Sequence, residues 1–157
     1  MFSVLIALGS NRGDRLRWLR AGVDALRGVI DVVRISSVYE TAPVDAPPPM
    51  FMNVVVAGAT TKSAERVLED LLAIETRMHR TRGLRNAPRT LDMDLILHSA
   101  HVVRSNDLVL PHPRYRDREF VLAPMRELAL RWVDPRTQMA VQDICAEGFV
   151  HRVARLW

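Results

Sequence analysis

The chain has 157 residues, 48% of them hydrophobic and 25% charged, a composition that supports one core and excludes a disordered or fibrous polypeptide. Its longest apolar runs, Val4 to Leu8 and Val54 to Ala57, fall far short of the roughly 18 residues that a bilayer span requires. The formal charge of +4 arises from 22 basic and 18 acidic residues, and because Lys62 is the one lysine, 22 − 1 = 21 of the cations are arginines. A single cysteine, Cys145, excludes an internal disulfide and a cysteine-rich zinc site, fits a reducing compartment and is expected in the core. The N-terminus starts directly as an alternating strand, without a basic leader or cleavage site, so the expectation is one cytoplasmic domain over residues 1–157.

Phe2 to Leu8 reads as a buried strand, and Gly9-Ser10-Asn11-Arg12-Gly13-Asp14 as a turn rich in helix-capping residues. Leu16, Leu19, Val23 and Leu26 then recur at steps of three and four, predicting a helix that Gly28 is placed to end. Val32 to Tyr39 is β-branched and predicts a second strand, after which the proline-rich stretch from Ala42 to Pro49 is a stiff loop. Phe51 to Thr60 is the third strand. Ser63 can cap a helix running to about Met78, with Val67, Leu71, Ile74 and Met78 as its core stripe. The segment from His79 to Arg89 contains Gly83 and Pro88 and no apolar period, and reads as a mobile loop leading into the strand Leu91 to Leu97. A short strand near His101 to Val103, a Pro-His-Pro turn at 111–113, a helix from about Phe120 to Leu130 and a less patterned C-terminal region complete the chain. This order is that of an α+β, ferredoxin-like βαββαβ sandwich with a C-terminal extension.

The chemistry concentrates in Arg89-Thr90-Leu91-Asp92-Met93-Asp94-Leu95-Ile96-Leu97. Strand alternation sends Leu91, Met93, Leu95 and Leu97 to one side and Asp92 and Asp94 to the other, about 6.6 Å apart along the strand. Like charges so placed repel unless a cation lies between them, and hydrated Mg²⁺ is suited to one or two carboxylates plus phosphate oxygens. The alternative is a solvated sheet face on which both aspartates pair with arginines. Arginines are at hand: Arg77, Arg80, Arg82, Arg85 and Arg89 stand in a stretch without an acid, and Arg114, Arg116 and Arg118 form a second group. Carboxylates, metal and guanidinium groups together are the parts of phosphoryl transfer. A basic loop alone also suits nucleic acid, but RNA-binding sheets display aromatic residues, and aromatics make up only 6% of this chain. Phe51, Asn53 and Phe120 can be core residues, but Phe51 and Asn53 share one strand face, an arrangement that suits a flat heterocycle with polar edges. Glu75 can pair with the arginine loop or lie in solvent, and His112 is either a phosphate donor or a structural turn residue.

Leu8-Gly9-Ser10-Asn11, Ser37-Val38-Tyr39-Glu40-Thr41, Phe51-Met52-Asn53, Pro88-Arg89-Thr90-Leu91-Asp92-Met93-Asp94, Pro111-His112-Pro113 and Arg118-Glu119-Phe120-Val121-Leu122-Ala123-Pro124 occur in this order along nearly the full length. In these motifs, of which the Pro-Arg-Thr-Leu-Asp-x-Asp run is the most specific, the chain resembles the 6-hydroxymethyl-7,8-dihydropterin pyrophosphokinases of folate biosynthesis. The resemblance implies transfer of the β,γ-pyrophosphoryl group of ATP to the pterin hydroxymethyl oxygen, with release of AMP. It further implies two Mg²⁺ ions on Asp92 and Asp94, catalytic Arg80 and Arg89, and an ATP side with Glu75, Arg82, Arg85, His112 and Arg118. The pterin would stack between Phe51 and Phe120, its polar edge met by Asn53 and by groups near Thr41 and Val44. ATP and the pterin are then the partners of a monomer that binds neither nucleic acid nor membrane. A divergent inactive paralogue, or an RNA- or nucleotide-binding module of the same fold, is the alternative.

Overall fold

The computed structural model describes residues 1–41, 50–79, 90–128 and 131–157, without the side chain of His79. The proline-rich loop at 42–49 and the arginine-rich loop at 80–89 lie outside the described residues. Five strands and two helices carry the ferredoxin-like unit: β1 (Phe2–Ser10), α1 (Arg15–Leu26), β2 (Asp31–Ile35), β3 (Val38–Thr41), β4 (Phe51–Thr60), α2 (Ala64–His79) and β5 (Asp92–His98). A small hairpin of β6 (Val103–Arg104) and β7 (Val109–Leu110), the helix α3 (Glu119–Glu127) and the strand β8 (Val150–Ala154) follow. Local chemistry sets the helix starts as expected. The Asp14 carboxylate accepts from the Arg17 N–H at 3.1 Å, and the Ser63 hydroxyl accepts from the Arg66 N–H at 3.3 Å.

All pairings in the main sheet are antiparallel, in the order β5-β1-β4, with β2 and β3 both on the far edge of β4 and β8 outside β3. This is the ferredoxin-like order, with one strand broken in two. The single strand expected over Val32 to Tyr39 is interrupted at Ser36 and Ser37. There the Ser36 hydroxyl accepts from the Val55 N–H at 2.9 Å, while the Ser37 hydroxyl and N–H turn to the Glu127 carboxylate at 2.7 and 3.1 Å. Tyr39 donates to the same carboxylate at 2.7 Å. Burial pushes the Tyr39 hydroxyl up to about 12, with the Glu127 hydrogen bond and charge acting in the same direction. The strand break thus serves as a socket for the end of α3.

Alternation along the strands divides the interior into two cores. Val4, Ile6, Leu8, Val54, Val56, Leu91, Met93 and Leu95 pack against α1 and α2 through Leu19, Val23, Leu26, Val67, Leu71 and Ile74. Leu5, Val55, Ile96 and Leu97 face the other way, onto Tyr115, Val121, Leu122, Met125, Val141 and Ile144. The second core is the work of the C-terminal region, and β8 extends the sheet by one strand. Three expectations change. Leu97 leaves the face of Met93 and Leu95 because the β1–β5 register slips between Leu5 and Ile6, which inserts Ile96 as a bulge. Cys145 is exposed, since its neighbour Ile144 takes the buried position. Helix α3 ends at Glu127, and Leu130, its expected end, lies outside the described residues.

Tyr115 and Asp134 anchor the chain that carries His112 and Arg118. Both are fully buried, and the Tyr115 hydroxyl donates to Asp134 at 2.6 Å. Burial alone would raise the Asp134 carboxyl, but the hydrogen bonds from Tyr115 and Arg136 outweigh it and hold the group below its ordinary value. Burial and the same hydrogen bond raise the Tyr115 hydroxyl. The depressed carboxyl adds stability that is present above the unfolded-state value of about 3.9 and is lost as pH falls through the folded-state value. The raised hydroxyl adds stability that is present below about pH 10 and is lost above it. Tyr115→Phe should therefore cost about 1.5–3 kcal/mol at pH 7 and flatten both limbs of the unfolding temperature plotted against pH. An unchanged pH profile would show that the pair contributes nothing.

Candidate active site

At one end of the sheet, on the face away from α1 and α2, the side chains change from apolar to polar. The register sets Asp92 beside Gly9 and Gly9 beside Asn53, and one row further in, Asp94 beside Ala7 and Ala7 beside Val55. A third row runs from Phe51 through Thr41 to Val150. The two aspartates therefore share a face, as alternation requires, and Met93 between them is buried on the helix side. Small residues on the central strand keep the middle of this face low. At Gly9 the requirement is strict, because an added Cβ would stand 2.9 Å from the Asn53 Oδ1. Asn53 in turn donates from its amide to the Thr41 hydroxyl at 3.1 Å.

These rows floor a cleft of about 640 Å³, a size that suits a small organic ligand. Thr41, Phe51, Asn53, Glu75, Asp92, Asp94, Arg118 and Phe120 all line it, so eight of the residues singled out in the sequence come together. Arg118 and Phe120 enter from the start of α3. The Arg118 guanidinium lies 3.4 Å from the Asp94 carboxylate, with its central carbon 5.6 Å from the centre of the Phe120 ring. Glu75 is neither a bystander nor merely a surface charge: its carboxylate accepts from the Met93 N–H at 2.6 Å and ties α2 to the strand that bears the aspartates. Arg80, Arg82, Arg85, Arg89 and Val44 lie outside the described residues.

His112 is not in the cleft lining but stands close enough for the charges of Asp94, Arg114 and Arg118 to act on it. Its N–H donates to the Ile96 carbonyl at 2.8 Å, and its Nδ1 accepts from the Arg114 N–H at 3.1 Å. Burial, the largest influence, holds the imidazole below its ordinary value; the charge of Asp94 acts against it, and those of Arg118 and Arg114 act with it. A neutral ring whose Nδ1 accepts carries its proton on Nε2, which is then a donor.

Among the described residues no group of three or more His, Cys, Asp and Glu side chains gathers into a metal cage. Two carboxylates opening on a cleft instead fit a hard cation that keeps waters and takes its other oxygens from a substrate, the usual habit of Mg²⁺. Sequence reasoning missed the residues brought in by topology. Asp117 and Glu119 precede Phe120 at the rim, and Glu147, Gly148, Phe149 and Val150 arrive from the C-terminal segment. Arg15 was also missed: from α1 it pairs with Glu40 at 3.0 Å and donates to the Met50 carbonyl at 2.6 Å, joining the ends of β3 and β4 beside Thr41 and Phe51.

Residues 5–130 match the family of 7,8-dihydro-6-hydroxymethylpterin-pyrophosphokinase, HPPK. The chain is 40% identical over 126 residues to 2-amino-4-hydroxy-6-hydroxymethyldihydropteridine pyrophosphokinase of Bacillus subtilis, covering 78% of this chain and 75% of that one. It is 30% identical to the protein of that name from Haemophilus influenzae over 99% of each chain. With the mitochondrial folate synthesis bifunctional protein of Arabidopsis thaliana the identity is 41% over 85% of this chain, which spans only 24% of that protein. The crystal structure of wild-type Plasmodium falciparum HPPK-DHPS shares the fold with a TM-score of 0.75 at 11% identity, over 91% of this chain and 44% of that chain. Sequence, fold and the gathering of the motif residues in one cleft agree, and the chain belongs to the HPPK family.

Proposed function

We propose that this protein transfers the β,γ-pyrophosphoryl group of ATP to the hydroxymethyl oxygen of 6-hydroxymethyl-7,8-dihydropterin, in folate biosynthesis. The observation that carries the reading is the row Asp92, Gly9, Asn53. Adjacent strands lie about 4.8 Å apart, so a carboxylate end for phosphates and an amide-and-aromatic end for a flat heterocycle meet across a single glycine. In the reaction the hydroxymethyl oxygen attacks the β-phosphorus and the bond from that phosphorus to the α,β-bridging oxygen breaks. AMP leaves with the bridging oxygen, and the hydroxyl proton passes to solvent.

Residue roles follow from chemistry. Phe51 and Phe120 stack on the heterocycle while Asn53, Thr41 and groups near Val44 read its polar edge. Asp92 and Asp94 would hold two Mg²⁺ ions. When bound there, the metal would neutralise triphosphate charge that the two carboxylates alone would repel. His112 donates from Nε2, and Arg118 neutralises charge at the ATP side. Glu75, Arg82 and Arg85 belong to the same side, while Arg80 and Arg89 stabilise the transferring group as catalytic residues. Positioning of two substrates in line supplies much of the rate. Residues 1–157 act as one pyrophosphokinase domain, as a monomer in the cytoplasm with no nucleic-acid partner. Among the described residues no helix is long and apolar enough to cross a membrane. The RNA-binding alternative is not favoured, because the sheet end that would stack bases carries two carboxylates.

The direct test is AMP formation from ATP with and without the hydroxymethyl pterin: pterin-dependent AMP supports the proposal, and pterin-independent or absent AMP release overturns it. Asp94→Asn removes a charge at constant shape, and turnover should fall on the order of 10³-fold with the unfolding temperature nearly kept. Gly9→Ala should push Asn53 off Thr41 and weaken pterin binding roughly 10-fold or more, while nucleotide affinity stays within about two-fold. Equal losses for both ligands in calorimetric titrations would contradict the division of the cleft.

A further inference from the structure

The C-terminal segment brings an aromatic side chain to the cleft that neither the sequence motifs nor the proposed mechanism uses. Phe149 lines the cleft and is 71% exposed. Among the described large hydrophobic residues, only Met1 is more exposed. Phe149 belongs to neither core, so folding of the sheet does not account for a phenylalanine there.

Its position is nevertheless built. Val150 pairs with Thr41, and Thr41 pairs with Phe51, so Phe149 stands one residue outside the row that ends the cleft floor. Gly148 precedes it with φ at +136°, a backbone conformation that side chains rarely adopt, and its Cβ position lies 3.4 Å from the Cβ of Glu119. The backbone thus passes close to the start of α3, one residue from Phe120, before it enters β8. The Phe149 ring stands nearly perpendicular to the His151 ring, at 84° and 4.6 Å between centres. Three aromatic side chains then line one cleft: Phe51 from β4, Phe120 from α3 and Phe149 from the approach to β8.

Resting on the reading that this cleft takes the pterin, we propose that Phe149 is a further substrate-binding residue, covering the heterocycle at the mouth of the cleft and losing its own exposure as it does so. With both faces of the heterocycle taken by Phe51 and Phe120, Phe149 meets its edge, a contact driven by apolar burial and edge-to-face geometry that does not involve the triphosphate.

Equilibrium titration of the full chain tests this with the hydroxymethyl dihydropterin, in the presence of Mg²⁺ and a non-hydrolysable ATP analogue, and with the analogue alone. Phe149→Ala should raise the pterin Kd roughly 10-fold, within the range expected for the burial and edge-to-face contact of one aromatic ring. Analogue affinity and unfolding temperature should stay at wild-type values, and Phe149→Tyr should restore pterin affinity. Wild-type pterin affinity in Phe149→Ala overturns the inference while leaving the function intact. A fall in pterin and nucleotide affinity together also overturns it, because the residue then shapes the cleft as a whole. Failure of the wild-type protein to bind the pterin removes the functional reading itself.

Discussion

Two carboxylates on one face of a strand that is otherwise core impose the constraint around which this molecule is organised. Asp92 and Asp94 cannot turn away from each other without turning Met93 and Leu95 out of the helix-side core. Their repulsion is on the order of 1–2 kcal/mol at a partly solvated site, a persistent cost to the free protein. Arg118 relieves part of it at Asp94. A cation bound between them would relieve the rest, which is what the proposed metal–triphosphate would bring to the cleft.

The ferredoxin-like unit alone would leave this face of the sheet open. Here the C-terminal third of the chain covers its middle and leaves one end free. Glu127 plugs α3 into the break between β2 and β3, while Tyr115 and Asp134 fasten the turn that leads into it. Arg126 joins the two sides of this cover, pairing with Glu119 and donating to the Ile144 carbonyl at 2.9 Å. Phe120 and Arg118 are therefore presented by a helix that is held at both ends. The geometry of the open end thus depends on polar contacts several residues away.

Much of this was legible from local pattern. The period of two placed Asp92 and Asp94 together and Phe51 with Asn53, and the period of three to four found the stripes of α1 and α2. What escaped was set by pairing between distant segments. The bulge at Ile96 reverses Leu97, and nothing in a run of Leu-Ile-Leu marks it. The socket at Ser36 and Ser37 was hidden in a β-branched run, because serine hydroxyls that replace ladder bonds look like ordinary strand residues until Glu127 is in view. Gly9 read as a turn residue, yet its importance lies in the absence of a side chain between Asp92 and Asn53, which only the β1–β4 register reveals. The rim contributed by Glu147 to Val150 had no motif at all and reached the cleft through the pairing of β8 with β3.

On the proposed function, the paired carboxylates receive a metal-bound triphosphate. Calorimetric titration of a non-hydrolysable ATP analogue into the wild-type protein, in millimolar Mg²⁺ and in excess chelator, tests it most directly. Affinity should be tighter by about 10²-fold or more with Mg²⁺, since two carboxylates facing an unmetallated triphosphate repel it. Equal affinity in chelator would contradict it and return Asp92 and Asp94 to the role of a solvated, arginine-paired sheet face.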